Sequence, residues 1–316
     1  MLIYMIRRVG AAIPIVIIVV VVTFSIIHLV PGNPAAVILG PTATTQAIAH
    51  LTKAMGLDKS LPEQFWLWLS GVARGNLGYS VFLDEPVLQA VVQHAGPTFW
   101  LAVAAEMMSV ILSVVFGMLA AWYRDTWVDR LLDTVFMIEI AVPDFILALE
   151  LVYVFAVAVH LFPVSGYSGP SHGIGPFIVS ITLPALVLAI GQAGLIARVI
   201  RDAIVEAFQQ DYVRVAMAKG SSKFRAFLRH AFRSSLIVPL TMMGTSFATL
   251  LGGVVILESV FNIPGLGWLA VNAILNKDYP TVQAVVMLIA VSYITINLTV
   301  DMLYFVVDPR TRSIYQ

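Results

Sequence analysis

Long apolar runs alternate with polar segments along this chain of 316 residues. The six runs cover residues 9–30, 98–122, 131–162, 176–198, 236–261 and 281–307. A helix needs about 20 apolar residues to cross a bilayer, so each run is long enough for one span. The third run exceeds a straight span and contains Pro143, which predicts a kink. The pattern therefore predicts an all-α integral membrane protein with six transmembrane helices.

The composition supports membrane residence and excludes several kinds of chemistry. The chain is 59% hydrophobic and 11% charged, whereas soluble domains carry about 25% charged residues. A net charge of zero argues against nucleic-acid binding, and the absence of cysteine excludes disulfides, Cys-based metal sites and thiol catalysis. Residues 1–30 are interpreted as a retained N-terminal anchor, because the run is long and no small-residue cleavage site precedes Pro31.

Lysine and arginine are distributed unevenly between the two sides of the predicted spans. Of the 18 basic residues, 14 fall on the side that carries both termini. These are Arg7, Arg8, Arg124, Arg130, Arg198, Arg201, Arg214, Lys219, Lys223, Arg225, Arg229, Arg233, Arg310 and Arg312. The other side carries Lys53, Lys59, Arg74 and Lys277. Basic residues concentrate in cytoplasmic loops, so both termini are predicted to be cytoplasmic.

The largest segment outside the predicted spans, residues 31–97, is predicted to form a small helical cap on the outer bilayer face. Its signals are a turn at Pro31–Pro34, a helix over Thr44–Met55 stopped by Gly56, a capping box at Ser60–Glu63, a helix carrying Phe65, Trp66 and Trp68, and a third helix from Pro86 to Gly96-Pro97. A loosely ordered loop is the alternative. Later in the chain, residues 262–267 predict a tight turn, and 268–276 predict an interfacial or re-entrant helix that is too short to span.

The longest basic segment, residues 198–235, predicts three helices. The first continues the fourth span with one apolar face: Ile200, Ala203, Ile204, Ala207 and Phe208. The second is short, with Asp211 as its cap, Lys219 in its last turn and Gly220 as a left-handed stop. The third begins at Ser221 or Ser222 and pairs an apolar stripe with a basic one. The apolar stripe is Phe224, Phe227, Leu228, Ala231 and Phe232; the basic stripe is Arg225, Arg229 and Arg233.

A helix of about eight residues is marginal alone, so the short helix needs support from its flanking arms or from a groove on a partner. The alternative is that the positive charges only set topology and contact lipid headgroups. The pattern Asp211-Tyr-Val-Arg-x-Ala-x-Ala-Lys-Gly220, followed by Leu228-Arg-His-Ala231 and Ile237-x-Pro239, resembles the cytoplasmic loop of binding-protein-dependent ABC importer permeases.

The resemblance extends from end to end and is closest to the first permease subunit of the dipeptide/oligopeptide/nickel branch. Further matches are Pro31-Gly-Asn-Pro34, Gly56-Leu-Asp58, Gly75-Asn-Leu-Gly-Tyr-Ser80, Glu258-Ser-Val-Phe-Asn-Ile-Pro-Gly-Leu-Gly267, Asp278-Tyr-Pro280, Asn297-Leu-x-x-Asp301-x-x-Tyr304 and Asp308-Pro-Arg310. One departure from the broad importer pattern narrows the choice of subfamily. That pattern has Glu-Ala-Ala where this chain has Arg214-Val215-Ala216. It also has a proline sooner after the loop glycine than this chain, in which the next proline is Pro239.

The resemblance implies a type I importer permease in the bacterial cytoplasmic (inner) membrane. It implies a second permease subunit that completes a heterodimeric pore, two cytoplasmic ABC ATPases, and an outer solute-binding protein that docks on residues 31–97 and 262–280. The ATPase-coupling residues would be Asp211, Tyr212, Val213, Arg214, Ala216, Ala218, Lys219 and Gly220. The domains would be 1–30, 31–97, a five-span core over 98–307, and a cytoplasmic tail over 308–316. The cargo would be a dipeptide, oligopeptide, nickel chelate, or a glutathione-like or opine-like solute.

The chain shows no motif for chemistry of its own. No G-x-x-x-x-G-K-[ST] occurs, and the nearest stretch, Gly220-Ser-Ser-Lys223, lacks the phosphate-binding loop. The six histidines show no metal-ligand spacing, His160 and His172 being the nearest to one, and G-x-S-x-G is missing. We therefore expect a non-catalytic subunit that has no cofactor and no metal, with ATP hydrolysed by its partners.

Acidic residues inside spans are costly and mark candidate functional positions. Glu106, Glu139 and Glu150 are candidates for contact with the cargo or its path, together with Ser246 and Thr249 of the fifth span. The alternative is that these acids pair with a neighbouring helix or hydrogen-bond at a helix interface. For Glu258 and Asp301 a structural role is favoured. The small residues of the fifth span fit either close helix packing or a pore wall. A self-sufficient channel or ion-coupled transporter, and half of an ABC exporter, are the competing functions.

Overall fold

The computed structural model describes residues 2–29, 33–40, 43–54 and 56–307. Its long helices are α1 Leu2–Ser25, α5 Val87–Trp122, α6 Trp127–Ala141, α8 Ile174–Phe208, α12 Ile237–Val260 and α14 Tyr279–Val307. The shorter ones are α2 Pro34–Leu39, α3 Thr45–Ala54, α4 Leu61–Ala73, α7 Asp144–Leu151, α9 Asp211–Ala218, α10 Lys223–Ala226, α11 Arg233–Ser235 and α13 Leu266–Leu275. Two 3₁₀ turns (Ile26–Leu29, Pro170–His172), two π-helical turns (Val152–Ala158, Phe227–Phe232) and a hairpin of β1 Tyr79–Ser80 with β2 Glu85–Pro86 complete the described chain. The predicted tail 308–316, and Pro31 and Gly32 of the predicted turn, lie outside the described residues.

Several helices are long and apolar enough to cross a bilayer. Within the described residues, four single helices qualify: Arg8–His28, Val87–Trp122, Ile174–Phe208 and Tyr279–Met302. Two bent pairs qualify together, Trp127–Ala141 with Asp144–Ala158 and Met242–Leu250 with Gly252–Val260, at angles of 109° and 46°. The protein is therefore an all-α, multi-pass membrane protein with four spans, or six if each bent pair forms one.

The predicted kink at Pro143 is a complete break between α6 and α7. A proline disfavours helical geometry in the residue before it, and Val142 is extended at φ −94° and ψ 122°. Pro143 is extended as well, at φ −60° and ψ 139°. Two consecutive extended residues turn the chain far more than a single lost hydrogen bond would, which explains the angle of 109°.

The prediction that a helix ends at Gly96-Pro97 is wrong, because α5 continues through Pro97 to Trp122. The predicted boundary between an outer segment and a core at residue 97 therefore falls inside one helix. A proline inside a membrane helix is tolerated where neighbouring groups take up the freed carbonyls. Pro97 withdraws only the amide that would face the carbonyl of Gln93, and α13 packs alongside α5.

Helices α5 and α8 form the centre of the fold and approach each other closely. A side chain at Gly117 of α5 would overlap the carbonyl of Ala197 and the side chain of Ile200 on α8. Small residues permit such contacts between membrane helices. Apolar clusters surround this pair at its middle and at both ends. We call the end that carries α9 and α10 the basic end, and the other end the α13 end.

Helix α1 packs on α14 at the edge of the fold. Arg8 forms an ion pair with Asp301 at 2.6 Å, and the Gln283 amide donates to the carbonyl of Thr23 at 3.1 Å. The structure thus gives Asp301 the structural role that the sequence favoured. Because α1 contacts the remainder of the chain mainly through α14, the N-terminal segment is a peripheral helix.

The segment before α5 is helical, largely as predicted. Helix α3 ends at Ala54, and Gly56 has the left-handed φ of +67° expected of a helix stop. The predicted capping box is wrong, because the Ser60 side chain forms no capping hydrogen bond. Instead the Gln64 amide ties α4 to the preceding loop by donating to the carbonyl of Lys59 at 2.8 Å.

Candidate functional site

The basic end is built on a long extension of α8. Helix α8 continues to Phe208, and Ile200 and Ile204 are fully buried on the predicted apolar face. The third predicted helix also begins as expected, since the Ser222 hydroxyl accepts from the amide of Arg225 at 3.4 Å. The sequence thus located both arms that flank the short helix α9.

The ends of α9 differ from the prediction in detail. Gln210 occupies the capping position and Asp211 lies in the first turn, so the assignment of Asp211 as the cap is wrong. Lys219 follows the last turn instead of lying in it. Gly220 has a φ of +93°, and its amide donates to the carbonyl of Met217 at 2.9 Å. The left-handed stop predicted at Gly220 is confirmed, because glycine adopts this conformation without a steric cost.

Helix α9 is held by few contacts and presents most of its surface outward. Val213 is its only buried residue, whereas Tyr212 and Val215 are 47% and 51% exposed. The Tyr212 hydroxyl hydrogen-bonds the Ser234 hydroxyl at 2.6 Å. The remaining predicted coupling residues lie on the same short element and, apart from half-buried Ala216, are exposed: Asp211, Arg214, Ala218, Lys219 and Gly220.

The arm that follows α9 is partly π-helical, which the sequence did not predict. Phe227 and Ala231 of its apolar stripe are buried, but Phe224 is 59% exposed and makes a T-shaped ring contact with Trp122. The assignment of Phe224 to the packed stripe is therefore wrong. A π-helical turn shifts the register by one residue, so the face that begins at Phe224 is not continuous with the rest. The basic stripe Arg225, Arg229 and Arg233 is exposed.

Two ion pairs fasten the start of α6 to the extension of α8. Arg201 donates from Nε and Nη2 to the two carboxyl oxygens of Asp129, both at 2.7 Å. Arg198 lies 3.0 Å from Asp133. Asp129 is buried, and a two-pronged arginine–carboxylate contact restricts geometry more than a single bond does. Helix α6 and the α8 extension therefore form one stiff unit at the basic end.

Glu106 and Ser246, two of the candidate path residues, lie together. The Ser246 hydroxyl is 3.0 Å and 3.1 Å from the two carboxyl oxygens of Glu106, which joins α5 to α12. Thr249 lies one turn further along α12, where it is exposed and hydrogen-bonds its own helix. Glu150, on α7, is exposed. The five candidates are therefore spread over four helices.

Glu139 lies at the broken helix, near an acidic residue that the sequence reasoning left out. Glu139 and Asp144 flank the break between α6 and α7, and their carboxyl groups lie against Gly194 and Gly191 of α8. One oxygen of Glu139 is buried without a hydrogen-bond partner among the described residues. Asp144 had the same signal as the chosen acids, an acidic side chain within an apolar run.

Glu258 is fully buried and anchors the start of α13. Its Oε2 accepts from the amides of Gly267 and Trp268 at 2.7 Å and 3.0 Å. Side chains at Gly265 or Gly267 would overlap this carboxyl group, and one at Gly267 would also overlap the backbone of Val255. The two glycines of the Pro-Gly-Leu-Gly turn thus make room for Glu258, and its structural role is supported.

A small polar cluster holds the hairpin at the α13 end. Asp278 accepts from the Ser80 hydroxyl at 2.5 Å and from the Thr281 hydroxyl at 2.7 Å. A second bond, from the phenol of Tyr79 to Asp84 at 2.7 Å, raises the pKa of Tyr79. Exposed apolar side chains of the hairpin and α13 include Tyr79, Val81, Phe82, Ile274 and Leu275. The hairpin escaped prediction because each strand has only two residues.

The described residues contain no group of three or more side chains able to hold a metal ion. His172 lies 3.3 Å from the hydroxyl of Ser171, its sequence neighbour. The candidate residues therefore form an exposed patch on α9 at the basic end and separate polar contacts between helices.

Comparisons with known proteins identify the family to which the chain belongs. A family profile described as "Binding-protein-dependent transport system inner membrane component" matches residues 113–313, and the corresponding N-terminal profile matches residues 1–102. A probable peptide ABC transporter permease protein y4tP of Sinorhizobium fredii is 43% identical, covering 98% of this chain and 99% of that protein. The glutathione transport system permease protein GsiC of Escherichia coli K12 is 38% identical, with 99% of each chain covered.

Among solved structures, an amino acid ABC transporter with histidines has a TM-score of 0.49 at 18% identity, covering 70% of this chain and 94% of that one. The two profiles together span both the α13 end and the basic end, and the two relatives match over their full lengths. The chain belongs to the inner membrane components of binding-protein-dependent transport systems, and it is a permease subunit of an ABC transporter.

Proposed function

We propose that this chain forms half of the pore of an ATP-driven importer and that α9 is the contact through which separate ATPases drive it. The observation that carries the proposal is the exposure of α9. A helix of eight residues with one buried side chain is too short to be stable alone. A groove on a partner would cover its apolar exposed side chains, Tyr212 and Val215, as in other helix-in-groove contacts.

The surroundings of α9 suit the transmission of a movement. The bond between Tyr212 and Ser234 links α9 to the arm that leads into α12. On the other side, α9 follows α8 directly, and α8 is joined to α6 by Arg201 and Asp129. Because both flanks lead directly into long helices, a force applied to α9 would be passed on to α6, α8 and α12.

We infer an orientation and a domain arrangement from the charge distribution. The basic end and both termini would be cytoplasmic, as the excess of lysine and arginine there suggests. Counting each bent pair as one span then makes six spans. Residues 31–97 and 262–280 would lie outside, where the solute-binding protein docks on the exposed side chains of the hairpin and α13. A second permease subunit would complete a heterodimeric pore.

The cargo is proposed to be a peptide or a glutathione-like solute, which the names of the two relatives favour. The carboxyl groups of Glu106 and Glu139 and the hydroxyls of Ser246 and Thr249 would line or support its path, and exposed Glu150 would contribute at α7. Peptide amino groups carry positive charge, so intramembrane carboxyl groups are suitable partners. The chain itself would need no cofactor, because the ATPase partners supply the free energy.

A single substitution tests the ATPase contact. Val215→Asp places a charge on the exposed face of α9, where it does not disturb the buried Val213. We expect the variant to insert normally but to lose its ATPases when the assembly is purified. Val164→Asp is the matched control, because Val164 is similarly exposed, at 53%, and lies in the loop that precedes α8. Normal recruitment of ATPases by Val215→Asp would refute the docking role.

A channel or ion-coupled transporter makes the opposite prediction. In that case, the purified chain would move solute in liposomes without partners or ATP. The intramembrane acids are the observation that favours this alternative, but Glu106 and Glu258 are already engaged by hydrogen bonds between helices. We expect no transport by the isolated chain and ATP-dependent uptake by the full assembly.

A further inference from the structure

A cavity of about 250 Å³ opens at the basic end, where α5 meets α8 and the start of α10. Apolar side chains form its floor, and polar groups stand at its rim. The lining includes Trp122, Phe208 and Phe227, with Arg124, Gln209 and Lys223 as the polar members. The cavity thus combines an apolar interior with two cationic groups from different parts of the chain.

Two cations and no carboxyl group are among the side chains that line this cavity. The Lys223 ammonium lies 5.5 Å from the centre of the Trp122 ring and forms no ion pair within the described part of the chain. Arg124 is 3.3 Å from Asp125, whose side chain is 80% exposed, a pair that solvent weakens strongly. An anion would therefore gain interactions with both cations.

The position of the cavity corresponds to the level of lipid headgroups. Trp122 closes the apolar run of α5, and tryptophan concentrates at membrane–water interfaces. Counted from Trp122, the contact of Gly117 with Ala197 lies five residues further into the apolar run, which is about 7 Å along α5. Arg124 begins the polar turn beyond α5. In a bilayer whose interface lies at Trp122, the floor of the cavity would face the edge of the hydrocarbon layer, and its cations would lie at the level of the phosphates.

We propose that this cavity binds the phosphate headgroup of an anionic phospholipid. Arg124 and Lys223 would contact the phosphate, and the aromatic floor would cover the glycerol and the first methylene groups. The volume is below the range of about 300–1,000 Å³ that encloses a whole small-molecule ligand. It suits a headgroup whose acyl chains remain in the bilayer along α5. Inorganic phosphate shares the charge but lacks the apolar part that the floor would cover.

Such a lipid would add a polar link between two elements that otherwise meet through Trp122 and the rings of Phe224 and Phe227. Arg124 follows α5, whereas Lys223 opens the arm that holds α9 through Ser234 and Tyr212. A shared anion would stiffen this joint. Under the proposed function, anionic lipid would then strengthen the coupling of ATP hydrolysis to transport, and that consequence rests on the role of α9. The binding site itself does not.

Lipid retention tests the site directly. The full assembly is reconstituted in vesicles of phosphatidylcholine with phosphatidylglycerol, extracted gently, and weighed intact by mass spectrometry to count bound lipid. We expect the double variant Arg124→Gln, Lys223→Gln to retain about thirtyfold less phosphatidylglycerol than the unaltered assembly, given the contribution of each of the two cations near an anionic surface. The variant Lys223→Arg should retain it.

The matched control removes the same charge from another face of the loop. Arg225→Gln, Arg229→Gln should keep the bound phosphatidylglycerol, because these arginines are exposed and do not line the cavity. An equal loss in this control would show a diffuse surface effect and overturn the site. Unchanged retention in the Arg124, Lys223 variant would overturn it too.

A labelling experiment separates a lipid from a soluble anion. The rate of acylation of Lys223 is measured by peptide mass spectrometry in vesicles of phosphatidylcholine alone, with phosphatidylglycerol, or with inorganic phosphate in the buffer. We expect only phosphatidylglycerol to protect Lys223. Equal protection by inorganic phosphate would assign the cavity to a soluble anion and refute the lipid. Neither measurement requires transport. Failure of the α9 contact would appear in the Val215→Asp experiment, and it is therefore distinguishable from failure of the lipid site.

Discussion

The Thr98 hydroxyl donates to the Glu258 carboxyl group at 2.5 Å and accepts from the amide of Leu266 at 2.7 Å. Through this one hydroxyl, the first third of α5 is connected both to the end of α12 and to the first residue of α13. The other oxygen of Glu258 accepts two further amides of α13. The short helix α13 is thus held by polar contacts that lie inside the protein, where an unpaired donor is costly.

Removing Glu258 should loosen α13 more than any nearby change. Glu258→Ala leaves two buried amides and the Thr98 hydroxyl without this partner, which we expect to cost about 3 kcal/mol. Amide hydrogen exchange over residues 266–275 in the purified assembly should accelerate, and the apparent Tm should fall. Ser259→Ala is the control, since Ser259 is exposed and its hydroxyl bonds only the carbonyl of Val255 in its own helix. Equal exchange in the two variants would contradict the anchoring role.

The glycines of the turn before α13 should tolerate no side chain. Gly267→Ala would place a methyl group against the backbone of Val255, and backbone cannot move aside as a flexible side chain can. We expect a lower yield of folded protein and a destabilisation of about 1–3 kcal/mol, as for other overpacked sites. Gly96→Ala, on α5, would place its methyl group where no other atom lies within 4 Å, so it should be neutral or slightly stabilising. Thermal unfolding of the three assemblies compares them.

The contact of Arg201 with Asp129 should depend on shape as well as charge. Arg201→Gln leaves the buried Asp129 without its cation, at an expected cost of about 3 kcal/mol. Arg201→Lys keeps the charge but not the two parallel bonds, so its effect should be intermediate. Arg214→Gln should change stability by at most about 0.5 kcal/mol, because its pair with Asp211 is exposed and 3.5 Å long. If the Arg201→Gln assembly were as stable as the Arg214→Gln one, the stabilising role of the contact between Arg201 and Asp129 would be disproved.

Gly220 should be replaceable only by residues that accept a left-handed backbone. Gly220→Pro cannot adopt a φ of +93° and loses the amide that bonds Met217, so α9 should lose its end and transport should stop while membrane insertion persists. Deleting residues 212–219 should have the same effect. Gly220→Asn should keep most activity, since asparagine tolerates this conformation better than other residues. Uptake of labelled peptide into proteoliposomes, with blotting for insertion, measures both.

The sequence alone predicted the elements that local chemistry determines. Apolar runs require helices in a bilayer, because every backbone polar group must be paired there, and the runs were readable without a structure. The stops at Gly56 and Gly220 and the cap at Ser222 depend on neighbouring residues only. The short helix between two arms, which carries the proposed coupling residues, was predicted for the same reason.

The tertiary structure decided which polar residues meet. Thr98 and Glu258 are 160 positions apart, and Arg201 and Asp129 are 72 apart, so no local pattern announces either pair. Pro97 would end a helix in isolation, but packing against α13 and α8 keeps α5 continuous. The cavity beside Trp122 likewise exists only because Arg124 and Lys223 come together from separate elements. Local signals act over one or two turns, whereas such pairings depend on how buried helices stack, which only the folded chain specifies.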